Sequence, residues 1–188
     1  MFRVRRPESR DIDAFLQASA DLPLSYEPVG IARGRPRGFD IDEQSTIIGS
    51  GEAAFARAMR ALTEWHQFAL GWVELHPQGA SIEPGTVVAV LVRHLGFWSL
   101  NGCRVVYGFG DRVTEFGVAY GTLTNHSECG EEIFAVRLDR QSGAVTYTIR
   151  AVARPRALLA RVGYPMARMI QHRFRVDSGR AMERAGIS

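Results

Sequence analysis

The chain has 188 residues, 46% of them hydrophobic and 23% charged, with a net charge of +3. This length provides one ordinary core and is short for two full domains, and the composition excludes a disordered chain. The start shows no secretory signal, and the longest apolar run, residues 86–92, is too short for a transmembrane segment. Two cysteines, Cys103 and Cys129, are too few for a disulfide framework, so we expect a reducing, cytoplasmic location.

We expect a single domain over residues 1–188, divided into three zones. Residues 1–36 show no clear periodicity and predict an irregular amino-terminal segment that ends in a glycine- and arginine-rich loop. Residues 37–153 predict a strand, a helix and an antiparallel sheet. Residues 154–188 predict a long carboxy-terminal helix.

The second zone opens with one strand and one helix. Phe39 and Ile41 alternate and, with Ile47 and Ile48, predict the strand. Ser50 is placed to cap the first turn of the helix through its hydroxyl. Apolar residues then recur at three- and four-residue steps, which predicts roughly five turns with one buried stripe. The stripe comprises Phe55, Met59, Leu62, His66 and Ala69.

Six further strands are predicted between residues 72 and 153, where the hydrophobic period changes to two. No helical segment interrupts them, so we expect an antiparallel meander. Residues 86–92 are apolar on both faces. We therefore expect this strand to be covered on both sides, by the amino-terminal segment or by a second subunit in a possible homodimer.

The third zone returns to helical spacing. Its apolar stripe comprises Leu158, Leu159, Val162, Met166, Met169 and Ile170. Gly163 and Pro165 predict a kink or a break, because proline removes a hydrogen bond and clashes with the preceding turn. Eight arginines and two acidic residues lie between 154 and 184, so the exposed face is predicted to be basic.

This order of elements is typical of the START-like, helix-grip architecture. The predicted fold is α+β, with a curved antiparallel sheet of about seven strands wrapped around the carboxy-terminal helix. Four stretches resemble the uncharacterised bacterial and plant family called domain of unknown function 1990, or uncharacterised protein family 0548. They are residues 22–30, 49–75, 100–134 and 173–182, and the most specific part is AYGTLTNHSECGEE. The resemblance implies an apolar cavity between sheet and helix and leaves the activity open.

Residues 126–132 hold a histidine, a cysteine and three glutamates. One interpretation is a solvated hairpin loop from His126 to Cys129. A metal site is disfavoured because the spacing matches no strong zinc motif, and a nucleophilic pair of Cys129 and His126 lacks a visible orienting group. We therefore assign no metal and no cofactor.

Glu131 and Glu132 begin a strand, so alternation turns them to opposite faces. By parity with Phe134, Glu132 points into the cavity and Glu131 lies at the surface. A buried Glu132 either pairs with an arginine such as Arg104 or Arg150, or has a raised pKa that marks a site.

Three functional classes remain open. The first is binding of a small apolar or lipid-like molecule in the cavity. The second is an enzyme that uses the same cavity, with Glu132 and His126 as candidate acid–base residues. The third is an anionic partner, a membrane surface or, less expected, nucleic acid, on the arginine-rich helix. The predicted ligand-binding residues are Tyr107, Tyr120, Phe134, Tyr147, Met166 and Ile170.

Overall fold

The structure is a computed structural model that describes residues 2–94, 96–155 and 164–187. Among these residues, no helix is both long enough and apolar enough to cross a membrane. The elements are β1 (Phe2–Arg3), α1 (Ser9–Ser19), β2 (Asp40–Ser50), α2 (Gly51–Thr63), β3 (Val73–His76), β4 (Val87–His94), β5 (Phe97–Phe109), β6 (Glu115–Thr122), β7 (Glu128–Leu138), β8 (Ala144–Pro155) and α3 (Tyr164–Ile187).

All strand pairs in the described part of the chain are antiparallel, as the sequence predicts. The main path runs β2-β8-β7-β6-β5-β4-β3, and the two-residue β1 pairs with β5 beside it. Strands β3 to β8 are each hydrogen-bonded to their neighbours in sequence, because short connections favour local antiparallel pairing. The predicted sheet of about seven strands is confirmed.

The helices α2 and α3 cover one face of the sheet, which we call the inner face. Helix α2 buries Ala54, Phe55, Ala58 and Leu62, whose spacing places them on one side of a helix. Helix α3 buries Met182, and its Ser178 hydroxyl lies 2.7 Å from the Tyr147 hydroxyl of β8. This arrangement is the predicted START-like helix-grip fold.

The amino-terminal segment covers the opposite, outer face. Helix α1 packs Ile12 against Ala89, Leu91 and Leu100. The prediction that residues 86–92 are covered on both faces is therefore confirmed, with α1 on the outer side. The prediction of an irregular segment over residues 1–36 is wrong, because α1 forms there with a capping box in which the Asp11 carboxylate accepts from the Glu8 amide.

Helix α2 is shorter than predicted. It ends at Thr63, and Trp65 follows in the left-handed region with a φ of 60°. This turn buries the indole, whose Nε1 donates to the Ala80 carbonyl at 2.9 Å. The predicted stripe is therefore wrong beyond Leu62, and His66 is exposed.

The predicted Ser50 cap is also wrong. Ser50 occupies the position before α2, but its hydroxyl donates to the Gly143 carbonyl at 3.2 Å and makes no capping bond. The hydroxyl thus joins the start of α2 to the turn between β7 and β8.

The carboxy-terminal helix begins later than residue 154, since β8 continues to Pro155. Residues 156–163, with the first half of the predicted stripe and Gly163, lie outside the described residues. The predicted kink is therefore not tested. Pro165 is the second residue of α3, where its missing amide costs no helical hydrogen bond. Met169 is 58% exposed, which removes it from the stripe, and the buried face continues instead through Ser178 and Met182.

Candidate functional site

A cavity of about 630 Å³ lies between the inner face of the sheet and α3. This volume falls within the range of small-molecule sites, about 300–1,000 Å³. Most of its wall is apolar, because inward positions of β3 and β4, together with the connection between α2 and β3, meet one face of α3. The main apolar contributors are Phe68, Trp72, Val90, Val92, Ile170 and Phe174.

Phe68 separates the cavity from the packed core. Its ring centroid lies 5.5 Å from that of Phe134 on the core side. The same ring lies 5.2 Å from Phe174 and 6.1 Å from Tyr120, both of which line the cavity. These edge and tilted contacts fix the aromatic wall, because each ring restrains its neighbours.

Strand β7 supplies the polar end of the cavity. Glu128, Gly130 and Glu132 alternate along the strand and all line the cavity. The Tyr120 hydroxyl donates to Glu132 Oε2 at 2.6 Å. The Gln171 amide of α3 donates to Glu128, which links the helix to the strand across the cavity.

Burial shifts both carboxyl groups toward protonation. It raises the pKa of Glu132 to about 7, and the nearby charge of Glu128 adds to this, against the Tyr120 hydrogen bond and the charge of Arg175. Burial also raises the pKa of Glu128. Arg175 compensates little, because it is already paired with Asp42 at 3.3 Å.

His126 stands beside these carboxylates as a neutral group. Its Nδ1 accepts from the Glu128 amide at 2.9 Å, which places the ring proton on Nε2. Burial lowers the pKa of His126 to about 4. His126 can therefore donate a hydrogen bond at neutral pH, and it is a weak base.

The prediction that Glu131 lies at the surface is wrong. The side chain is 2% exposed and lies on the outer face, beneath residues 24–34. Its Oε2 accepts from the Tyr26 hydroxyl at 2.7 Å and the Gly30 amide at 2.8 Å. Its Oε1 accepts from the Tyr107 hydroxyl at 2.5 Å and the Ala32 amide at 3.3 Å. Glu131 therefore holds the amino-terminal segment to the sheet.

The predicted ligand-binding residues divide into three groups. Tyr120, Met166 and Ile170 line the cavity. Phe134 and Tyr147 point inward but are 0% and 1% exposed, so they belong to the packed core. Tyr107 does not line the cavity. A register shift between Val105 and Tyr107 turns its side chain to the outer face, which strict alternation from Val105 misses.

Residues 126–132 are less solvated than predicted. The inward orientation of Glu132 is confirmed, but His126 and Glu128 line the cavity, and Cys129 is buried. The Cys129 thiol donates to the Ser25 carbonyl at 3.0 Å, so it makes no catalytic pair with His126. Within the described residues, no group of three metal-ligating side chains is placed to hold an ion.

The predicted arginine partners of Glu132 lie elsewhere. Arg104 donates to the Ala20 carbonyl at 2.7 Å. Arg150 donates to the Ala32 carbonyl at 2.7 Å and pairs with Glu43. Both arginines thus bind the amino-terminal segment, and neither pairs with Glu132.

Several cavity residues were missed from the sequence. Glu128 was missed because the strand begins at residue 128 and not at 131, although its parity matches Glu132. Phe174 follows Ile170 by four residues, so the helical period was a usable signal. Gln171 and Arg175 carried no such signal, since polar residues on a helix are usually solvated.

Four of the eight arginines that predicted a basic face on the carboxy-terminal helix form ion pairs with acidic residues in the part of the chain that the structure describes. Two acidic residues, Asp42 and Asp177, each hold two arginines of α3. The paired arginines are Arg168, Arg173, Arg175 and Arg180. This pairing weakens the case for an anionic partner on α3.

Comparison with known proteins gives a family match over most of the chain. The model described as Domain of unknown function (DUF1990) matches residues 25–181. A UPF0548 protein of Dictyostelium discoideum is 30% identical, over 98% of this chain and 95% of that protein. A UPF0548 protein of Deinococcus radiodurans is 32% identical, over 98% of each.

Solved structures support the fold. A Zhui aromatase/cyclase from Streptomyces has a TM-score of 0.53 at 13% identity, over 79% of this chain and 93% of that one. A hypothetical protein from Helicobacter pylori has a TM-score of 0.52 at 13% identity, over 82% of this chain and 92% of that one. At this identity the likeness concerns the fold alone.

Proposed function

The chain belongs to the family Domain of unknown function (DUF1990), and we propose that it binds a small, mainly apolar molecule in the cavity between sheet and α3. The observation that carries this proposal is a cavity of about 630 Å³ with aromatic and aliphatic walls. Well-packed interiors rarely contain such voids. A cavity of this size and lining is therefore suited to a ligand.

The expected affinity follows from the apolar surface that such a ligand would bury. A ligand that loses about 300 Å² of apolar surface gains about 7 kcal/mol, at about 25 cal/mol per Å². A gain of about 7 kcal/mol alone corresponds to a dissociation constant of about 10 µM. Immobilisation offsets part of this gain, so we expect dissociation constants from tens of micromolar to about 1 mM for a generic apolar compound. Tighter binding requires that the ligand also satisfy the polar end of the cavity.

A fluorescence titration with Nile red, an uncharged apolar dye, tests the binding. Ile170 lines the cavity, while its neighbour Met169 is 58% exposed on the same helix. We expect Ile170→Phe to reduce dye affinity severalfold, because the longer, rigid ring projects into the cavity and obstructs part of it. Met169→Phe is the matched control and should leave the affinity unchanged. Equal dye affinity in both variants and the native protein would contradict a cavity site.

Native mass spectrometry of the purified protein complements this titration. We expect a bound compound that is released on denaturation and is depleted in Ile170→Phe. The exact mass and the fragmentation pattern of that compound would identify the ligand.

A second candidate function is proton-transfer catalysis on the bound molecule. It is favoured by Glu132, whose pKa is raised by burial to about 7, near the value that suits a general acid or base at neutral pH. The Tyr120 hydroxyl at 2.6 Å holds this carboxyl in place. His126 is a poor base because burial lowers its pKa to about 4, and it would act as a hydrogen-bond donor.

Incubation of a small-molecule extract with native protein and with Glu132→Gln tests catalysis. Mass spectrometry should detect a compound consumed by the native protein and not by the variant. An identical set of compounds after both incubations would remove this second candidate and leave binding alone.

A further inference from the structure

We propose that the molecule bound in the cavity carries a protonated amine, and that this amine pairs with the Glu132 carboxylate. The inference rests on the proposed binding function and names the chemical class of the ligand. It is carried by the hydrogen bonding of Glu132, by the charges at the polar end of the cavity and by the aromatic wall beside it.

Glu132 has one oxygen engaged and one available. Oε2 accepts from the Tyr120 hydroxyl at 2.6 Å. Oε1 has no hydrogen-bond partner among the described residues, and it is not sealed within the protein, because Glu132 lines the cavity. An ionised carboxylate in an apolar surrounding needs a further donor. We infer that the ligand supplies this hydrogen-bond donor to Oε1.

The charges around Glu132 favour a cation. Glu128 presents a second carboxylate from the same face of β7, and its described side-chain partner, Gln171, is neutral. The cavity arginine, Arg175, is 8% exposed and holds Asp42 at 3.3 Å. Within the described residues, no arginine lies within ion-pair distance of Glu128 or Glu132. An anionic ligand would meet repulsion here, and a cationic ligand would meet attraction.

Aromatic rings adjoin the same carboxylate. The Tyr120 ring lies 5.3 Å from Phe134 and 6.1 Å from Phe68, so Glu132 sits at the edge of an aromatic cluster. Apolar walls beside an ion pair exclude water and so strengthen the attraction between the two charges. A ligand with an aromatic or alkyl body and an amine at one end therefore fits both the wall and the polar end.

Three naphthalene compounds that differ in their polar group test this inference. They are 2-(1-naphthyl)ethylamine, 2-(1-naphthyl)ethanol and 1-naphthylacetate, with Kd measured at pH 7.5 by Nile red displacement and by calorimetry. We expect the amine to bind native protein at least tenfold more tightly than the alcohol, as a charge-assisted hydrogen bond allows, and the carboxylate to bind most weakly.

The variants assign the preference to one carboxylate. Glu132→Gln should bring the amine to within about twofold of the alcohol. Glu83→Gln, which removes an exposed carboxylate away from the cavity, is the matched control and should keep the full preference. Equal binding of amine and alcohol to native protein, or an amine preference that survives Glu132→Gln, would overturn the inference. Absence of binding by all three compounds and by Nile red would overturn the proposed function itself.

Discussion

Replacing Glu131 with glutamine should destabilise the protein strongly, although a glutamate at the start of a hairpin strand resembles a surface residue. Glu131 is 2% exposed and accepts hydrogen bonds from two tyrosine hydroxyls and two backbone amides. In glutamine one of the two oxygens becomes an NH₂ group. The tyrosine hydroxyls can turn to accept from that group, but a backbone amide cannot.

The magnitude follows from these contacts. The least costly orientation of the glutamine places its NH₂ group where Oε1 of Glu131 lies. The hydrogen bond lost there is the longest of the four, because the Ala32 amide is 3.3 Å from Oε1. The backbone amide of Ala32 is then left without an acceptor, which lowers the free energy of unfolding by about 1–3 kcal/mol. The remaining hydrogen bonds lose the assistance of the charge, about 0.5 kcal/mol each. We expect the free energy of unfolding to fall by about 3 kcal/mol, and the Tm to fall by roughly 6–12 °C for a chain of this size.

Urea unfolding followed by tryptophan fluorescence at pH 7 measures this change. Glu132→Gln is the matched control, since it should keep the Tyr120 hydrogen bond and remove the cost of a buried charge. The control should therefore be neutral or more stable. Tyr26→Phe removes one donor to Glu131 and should cost about 1 kcal/mol. A loss below about 1 kcal/mol in Glu131→Gln, or a larger loss in the Glu132 control, would refute the proposed role.

Two further predictions concern stability. The folded-state pKa of Glu132 is raised from 4.5 to about 7, so its contribution is lost as pH rises through this range, whereas that of His126 is lowered from 6.5 to about 4, so its contribution is lost as pH falls. These slopes oppose each other. Measured by urea unfolding as a difference from the native protein, the free energy of unfolding should rise with pH in Glu132→Gln and fall with pH in His126→Asn, by up to about 3 kcal/mol each. Parallel difference profiles would refute this. Gln67 is 0% exposed and its amide has no hydrogen-bond partner among the described residues, so Gln67→Met should raise the free energy of unfolding by about 1 kcal/mol. A decrease would show that the amide is satisfied in solution.

The sequence determined most of the element types after residue 36 and much of their order. Alternation predicted the strands and turned Glu132 inward, because a strand exposes successive side chains to opposite faces. The absence of helices between the strands predicted their antiparallel pairing. The doubly apolar run at residues 86–92 predicted a strand covered on both sides. These features depend on local periodicity, which a single sequence displays directly.

Only the tertiary structure determined which segments pack against each face of the sheet. Glu131 is buried because residues 24–34 return over the outer face, and the donors that it accepts from are as much as 105 positions away in the chain. Tyr107 leaves the cavity side because one register shift interrupts the alternation of β5. Helix α2 ends just before Trp65, because the Trp65 indole donates a hydrogen bond to the Ala80 carbonyl, which lies outside the helix. Periodicity assigns a residue to a face, but long-range packing determines whether that face is a cavity, a packed core or a covered surface.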